Sequence, residues 1–131
     1  KNAAISKLAN VAVEVLPGPE VLTGSTRLKS GTTQKLVLNM ISTGAMIKMG
    51  KCYQNLMVDV VPTNKKLIVR AENIVMYATN CERKVAQKAL TICNYQPKIA
   101  IVMILNHCNK KEAISKLAKA NGHIRKTLRS K

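Results

Sequence analysis

The sequence predicts a mostly α-helical chain with one or two strands, and three features predict it. Apolar residues recur at helical spacing through most of the second half. One short segment, VAVEVL at 11–16, alternates as a strand does, and Pro-Gly-Pro and Asn-Gly pairs stand where such elements should stop. The chain has 131 residues, 47% of them hydrophobic, enough for one ordinary core or two very small ones and too apolar for a disordered tail.

AAISKLA at 3–9 reads as a short helical turn. VAVEVL follows, dense in Val around Glu14, and Pro17-Gly18-Pro19 ends it. A lone strand leaves backbone groups without ladder partners, so a second strand is expected from LMVDVV at 56–61, from an upstream segment, or from another chain. A long helix is expected from Ser25 to about Met49, capped by Ser25 or Thr23 and stopped by Gly50. Its centre, LVLNMI, is apolar on nearly all sides, the mark of a helix buried on most faces, and Ser42 to Ala45 add a small-residue surface. After Pro62-Thr63 the positions Leu67, Ile68, Ala71, Ile74, Val75 and Ala78 trace one helical face. Three shorter helices follow. The first has a candidate capping box at Thr79-x-x-Glu82 and turns Val85, Ala86, Ala89 and Leu90 inward. The second starts at Pro97 and holds the apolar run IAIVMIL. The third opens at Asn109 with Glu112 three residues on, buries Ala113, Ile114, Leu117 and Ala118, and stops at Asn121-Gly122 before a basic tail, HIRKTLRSK. The word AISKLA occurs at Ala4 and again at Ala113 without matching neighbours, so it is not a repeat.

The formal charge is +16, from 22 basic and 6 acidic residues. That excess admits a polyanionic partner, but the lysines are scattered singly or in pairs, which fits solvated helix faces better than a binding tail. Aromatics are 2%, with no Trp or Phe, so the stacking platforms of single-stranded nucleic-acid sites are missing and nucleic acid is not the expected partner. Cys52, Cys81, Cys93 and Cys108 have no metal-ligand spacing and read as reduced thiols of a cytoplasmic protein; His107 beside Cys108 lacks a second ligand pair, so no metal is expected. The longest apolar run, seven residues, is too short to span a bilayer.

The stretch GPEVLTGSTRLKSGTTQK, from Gly18 to Lys35, carries the chemistry. Arg27 and Lys29 fall in the first turn of the expected helix, where the dipole disfavours cations. Arg27, Gly31 and Lys35 share one helical face, with a glycine that lets a ligand approach the backbone. With the hydroxyls of Thr23, Ser25 and Thr26 they suit a phosphate or carboxylate. The alternative is that Arg27 folds back onto Glu20 and the hydroxyls only cap. Glu20, just past a strand end, is the one carboxylate here and the candidate acid or base. Glu72, Glu82 and Glu112 read as ordinary surface residues on helices. No hydroxyl has a plausible His partner, so the chain is poor in catalytic groups.

GPEVLTGSTRLKSGTTQKLVLNM at 18–40 resembles the signature of the N-acetylmuramic acid 6-phosphate etherases, and more loosely the glucokinase regulatory proteins. GKCYQNLMVDVVPTNKKL at 50–67, AIVMIL and ANGHIRKTL resemble further blocks of the etherase pattern in the same order, so the likeness covers nearly the whole chain. Gln54 stands where a glycine is more usual and Cys52 where a small apolar residue is.

The resemblance implies the C-terminal part of an α/β doubly wound sugar isomerase (SIS) fold over 1–78, followed by a small ubiquitin-associated (UBA)-like helical bundle and basic tail over 79–131. It implies a carbon–oxygen lyase, without metal or organic cofactor, that converts N-acetylmuramic acid 6-phosphate to N-acetylglucosamine 6-phosphate and D-lactate in peptidoglycan recycling. Removal of the C2 proton, elimination of lactate from C3 and addition of water would be served by carboxylates. The family's phosphate loop and catalytic glutamates belong to an upstream half, so this chain alone is expected to be inactive and to act as a homodimer or with that half. Glu20, Ser25, Thr26, Arg27 and Lys29 are the expected sugar-phosphate contacts. The other reading is a non-catalytic sugar-phosphate-binding regulatory module.

Overall fold

The computed structural model describes residues 3–128. The chain divides into two compact units, Lys1–Thr43 and Gly44–Lys131. It is mostly helical, as the sequence predicts, with two very short strands.

In the first unit a 3-10 turn, Ala4–Leu8, is held from outside itself: the Glu14 carboxylate accepts from the Ala3 amide at 3.0 Å and from the Ser6 hydroxyl. Residues 11–16 form no ladder, so the predicted strand is corrected. Among the described residues no chain segment lies alongside to complete its hydrogen bonds. The second strand expected to join it, at 56–61, is used elsewhere. Helix α1, Lys29–Lys48, starts four residues later than predicted. Ser25 does not cap it; its amide instead closes a turn on the Leu22 carbonyl at 3.1 Å, with Gly24 at φ 83° in the position that requires a positive value. No side chain of α1 is buried, and Leu38 and Met40 are about two-thirds exposed (66% and 65%). A Cβ at Gly44 would meet nothing within 4 Å, so the small-residue surface is equally uncovered.

The second unit has a genuine core. A two-residue hairpin pairs β1, Cys52–Tyr53, with β2, Leu56–Met57, antiparallel, with Tyr53 opposite Leu56. Helices α2 (Lys65–Thr79), α3 (Arg83–Ile92), α4 (Pro97–Leu105), α5 (Lys110–Lys119) and α6 (Ile124–Thr127) follow. α4 is the hub: α2, α3, α5 and α6 all pack against it. Its run IAIVMIL leaves no polar face, and Ile101 and Val102 are fully buried, as a helix apolar on every side requires. Thus α2, placed by sequence with the residues before it, shares one core with the three shorter helices.

Local signals set most of the boundaries. Asn64 caps α2 by accepting from the Leu67 amide at 3.0 Å, and Asn109 with Glu112 closes a full capping box on α5. The Thr79–Glu82 box does not form: Thr79 is the last residue of α2, its hydroxyl donating to the Val75 carbonyl, and Glu82 is the residue before α3. Val85, Ile114 and Ala118, expected inside, are exposed, whereas Ala120 and Ile124 are buried. The basic tail is therefore partly structural: α6 docks through Ile124, and Thr127 accepts from the Asn106 side chain at 3.3 Å. The last three residues of that tail, Arg129 to Lys131, lie outside the described residues. Glu72, read as a surface residue, is buried and pairs with Arg83 and Gln87. Asp59 holds Lys51 and Lys98 at 3.5 and 3.7 Å, fastening the segment after the hairpin to α4.

Gly50 stops α1 as predicted, at φ 69°, and a Cβ there would lie 2.7 Å from the Gly122 carbonyl oxygen. Two constraints thus meet at one residue. Gly50→Ala should cost at least the roughly 1–3 kcal/mol of a strained backbone position, and Leu90→Ala about 2–5 kcal/mol through cavity formation. Val85→Ala should stay within about 0.5 kcal/mol. Urea unfolding followed by helical circular dichroism measures all three, and equal losses at Leu90 and Val85 would contradict this core.

Candidate functional site

Residues 17–30 are shaped by two glycines and one carboxylate. Gly18 (φ 79°) and Gly24 (φ 83°) turn the chain twice, so that Glu20 comes back to the start of α1. There its two oxygens divide the work: Oε2 accepts from the Lys29 amide and Oε1 from the Ser30 amide, both at 3.0 Å. The first amides of a helix have no acceptor inside it, and a carboxylate is their best external one. Glu20 is therefore the anion that this helix start faces within the chain.

That contact sets the charge of Glu20. The Ser30 and Lys29 backbone amides, with the Lys29 ammonium adding a smaller pull, hold its carboxyl below the ordinary value. It stays ionised at neutral pH and is a weak base, poorly matched to proton abstraction. Ser25 is half-buried; Thr26, Arg27 and Lys29 are exposed. Arg27 does not pair with Glu20, and among the described residues neither it nor Lys29 forms an ion pair. The Thr26 carbonyl would touch a Cβ on Gly31 at 3.6 Å, an ordinary contact, so this glycine leaves room rather than relieving a clash.

Two concavities flank the helix start. One, about 440 Å³, lies between Val13, Val15 and Pro17 and the α1 side chains Ser30, Thr33, Gln34 and Val37. The other, about 420 Å³, is bordered by Pro17, Leu28, Lys29, Thr32 and Thr33. Sequence reading missed Ser30 and Gln34 as lining residues, although their i, i+4 spacing would have placed them on one helical face. It also missed the anchoring roles of Glu14 and Glu20. Those contacts span eight to eleven residues and have no local signature. The arrangement offers cations and hydroxyls to an anion, but both carboxylates of the first unit already serve helix starts.

Two of the four thiols are held away from reactivity. Burial pushes the Cys93 thiol up, and burial together with the Glu112 charge does the same at Cys108, which disfavours the nucleophilic thiolate. Among the described residues no three or more His, Cys, Asp or Glu gather as metal ligands, and no helix is long and apolar enough to cross a membrane.

No family model matches the chain. Individual relatives do. It is 61% identical over 124 residues to the N-acetylmuramic acid 6-phosphate etherase of Klebsiella aerogenes, covering 95% of this chain and 41% of that protein. It is 56% identical over 128 residues to the enzyme of that name from Oenococcus oeni, covering 98% and 43%. A third, from Oceanobacillus iheyensis, is 57% identical over 127 residues, covering 97% and 43%. The chain spans less than half the length of these curated relatives.

The Glu20 contact predicts a pH dependence whose sign is fixed. A carboxyl lowered on folding stabilises the helix start above its ordinary value of 4.5 and loses that effect as pH falls through the lowered value. The Lys29 and Ser30 amide resonances should therefore titrate with a midpoint below 4.5. Glu20→Ala should abolish that titration and speed hydrogen exchange at both amides while leaving the Leu67 amide, capped by Asn64, unchanged. A midpoint above the ordinary value would contradict the contact.

Proposed function

Because the chain matches the N-acetylmuramic acid 6-phosphate etherases along nearly all of its own length, we propose that it is the C-terminal part of such an etherase. The activity proposed for the assembled protein is carbon–oxygen lyase chemistry: N-acetylmuramic acid 6-phosphate gives N-acetylglucosamine 6-phosphate and D-lactate in cell-wall recycling, in the cytoplasm and without a cofactor. The observation that carries this reading is 54–61% identity over 95–98% of the chain to proteins of that name.

The geometry supports a division of labour. Residues 11–16 and α1 would be the last strand and following helix of the SIS sheet, whose other strands lie outside this chain. The unpaired valine segment and the uncovered apolar sides of α1 suit that role. The second unit would hold the UBA-like bundle, with homodimerisation covering further apolar surface. Arg27, Lys29, Ser25 and Thr26 would face the sugar phosphate, and Glu20 would position them by pinning the α1 start rather than moving protons. The catalytic acid and base would come from the part of the etherase that this chain does not span.

The test is D-lactate release from N-acetylmuramic acid 6-phosphate, read with lactate dehydrogenase. The 131-residue chain alone should release none. Co-expressed with the part of the Klebsiella aerogenes relative that it does not span, it should restore release. In that assembly Arg27→Ala should raise KM roughly tenfold or more, the loss of one charge-assisted hydrogen bond. Saturable substrate binding without turnover by the assembly would favour the regulatory-module reading, which the committed carboxylates of the first unit also suit. Release by the chain alone would overturn the division of labour.

A further inference from the structure

The second unit carries its own cavity, about 460 Å³, whose polar lining is Lys48, Tyr53, Gln54, His123 and Arg125, over the buried Ile124. Among the described residues no carboxylate borders it. Elsewhere in this unit Asp59 is engaged with Lys51 and Lys98, and Glu72 with Arg83. Among the described residues neither Lys48 nor Arg125 has an ion pair. The final carbonyls of α1 do not compete for Lys48 either: Ala45, Met46 and Ile47 accept from the Met49, Lys51 and Gly50 amides at 2.9–3.0 Å.

A second observation falls at the same place. Gln54 has φ 54° at the first position of the two-residue hairpin turn, where glycine is the usual occupant. The other non-glycine residues with positive φ (Asn80, Asn94, Tyr95, His107 and Asn121) follow helix ends, where that conformation is the habitual stop. Among the described residues Gln54 is the one non-glycine whose positive φ belongs to a hairpin turn, which requires that value at its first position, and its side chain lines the cavity. Strain of this kind persists where surrounding structure or function holds it.

We propose that this cavity binds the phosphoryl group of a small ligand, either inorganic phosphate or a phosphomonoester. Arg125 and Lys48 take the phosphoryl oxygens, the Gln54 amide and Tyr53 hydroxyl donate to the remaining acceptors, and Ile124 packs against any attached carbon skeleton. Every lining residue belongs to the second unit, so the site stands independently of the etherase reading.

Calorimetric titration of the full chain with inorganic phosphate and, separately, with glucose 6-phosphate at fixed ionic strength tests it. One saturable site is expected. Tighter binding of glucose 6-phosphate assigns a phosphomonoester; equal affinity assigns free phosphate. Arg125→Gln and Lys48→Gln, both at exposed positions, should each weaken binding about tenfold, while Lys111→Gln, an exposed α5 position outside the cavity, should change it less than twofold. Gln54→Gly should raise Tm by about 4–8 °C and weaken binding at least threefold. Absence of saturable binding, or equal weakening by Lys111→Gln and Arg125→Gln, would overturn the site. A raised Tm with unchanged binding would remove Gln54 from it.

Discussion

The first amides of a helix find no acceptor within the helix, and each must be hydrogen-bonded from outside or left in water. This chain has only six acidic residues, and three of them answer that need. Glu14 holds the 3-10 turn, Glu20 holds α1, and Glu112 closes the capping box on α5. Asp59 and Glu72 are engaged by lysine and arginine side chains. The scarcity of acids is therefore structural as well as electrostatic. A net charge of +16 leaves many cations unpaired, and nearly all the acids are committed to architecture. This is why, among the described residues, the chain leaves cations without carboxylate partners in both units and offers little for acid–base chemistry.

The two units satisfy their backbone and their apolar surface to different extents. In the second, the apolar helix α4 is wrapped by four others, and the deep contact of Gly50 with Gly122 joins the end of α1 to the loop before α6. In the first, a helix carrying Leu36, Leu38, Met40 and Ile41 at its centre has no buried residue, and among the described residues a valine-dense segment has no ladder partner. Exposed apolar area on that scale marks a surface made to be covered. The relatives are more than twice as long as this chain, which is where we place the cover.

What the sequence disclosed follows the range of each interaction. Periodicity located α2, Pro97 and the apolar run after it located α4, and Asn109 with Glu112 three residues later located the start of α5, because those signals act within one or two turns. The Thr79–Glu82 pair shows the limit: the spacing was right, but α2 continued through Thr79. The start of α1 was misplaced because its cap, Glu20, lies nine and ten residues away. The word AISKLA makes the same point. At Ala4 it is a 3-10 turn tied to Glu14 with Leu8 exposed; at Ala113 it is α-helical with Leu117 buried. Six identical residues take the conformation their surroundings complete. The cations of the candidate site were legible as a pattern; that their carboxylate neighbour anchors the helix was not, since only the fold brings the two together.

Backbone hydrogen exchange at residues 11–16 tests the central claim most directly: that the first unit is an unfinished layer of a larger etherase. Measured in the chain alone and in the co-expressed assembly, these amides should exchange freely in the first and become protected in the second, with α4 amides protected in both. Protection of residues 11–16 in the chain alone, or its absence in an assembly that releases D-lactate, would contradict the account.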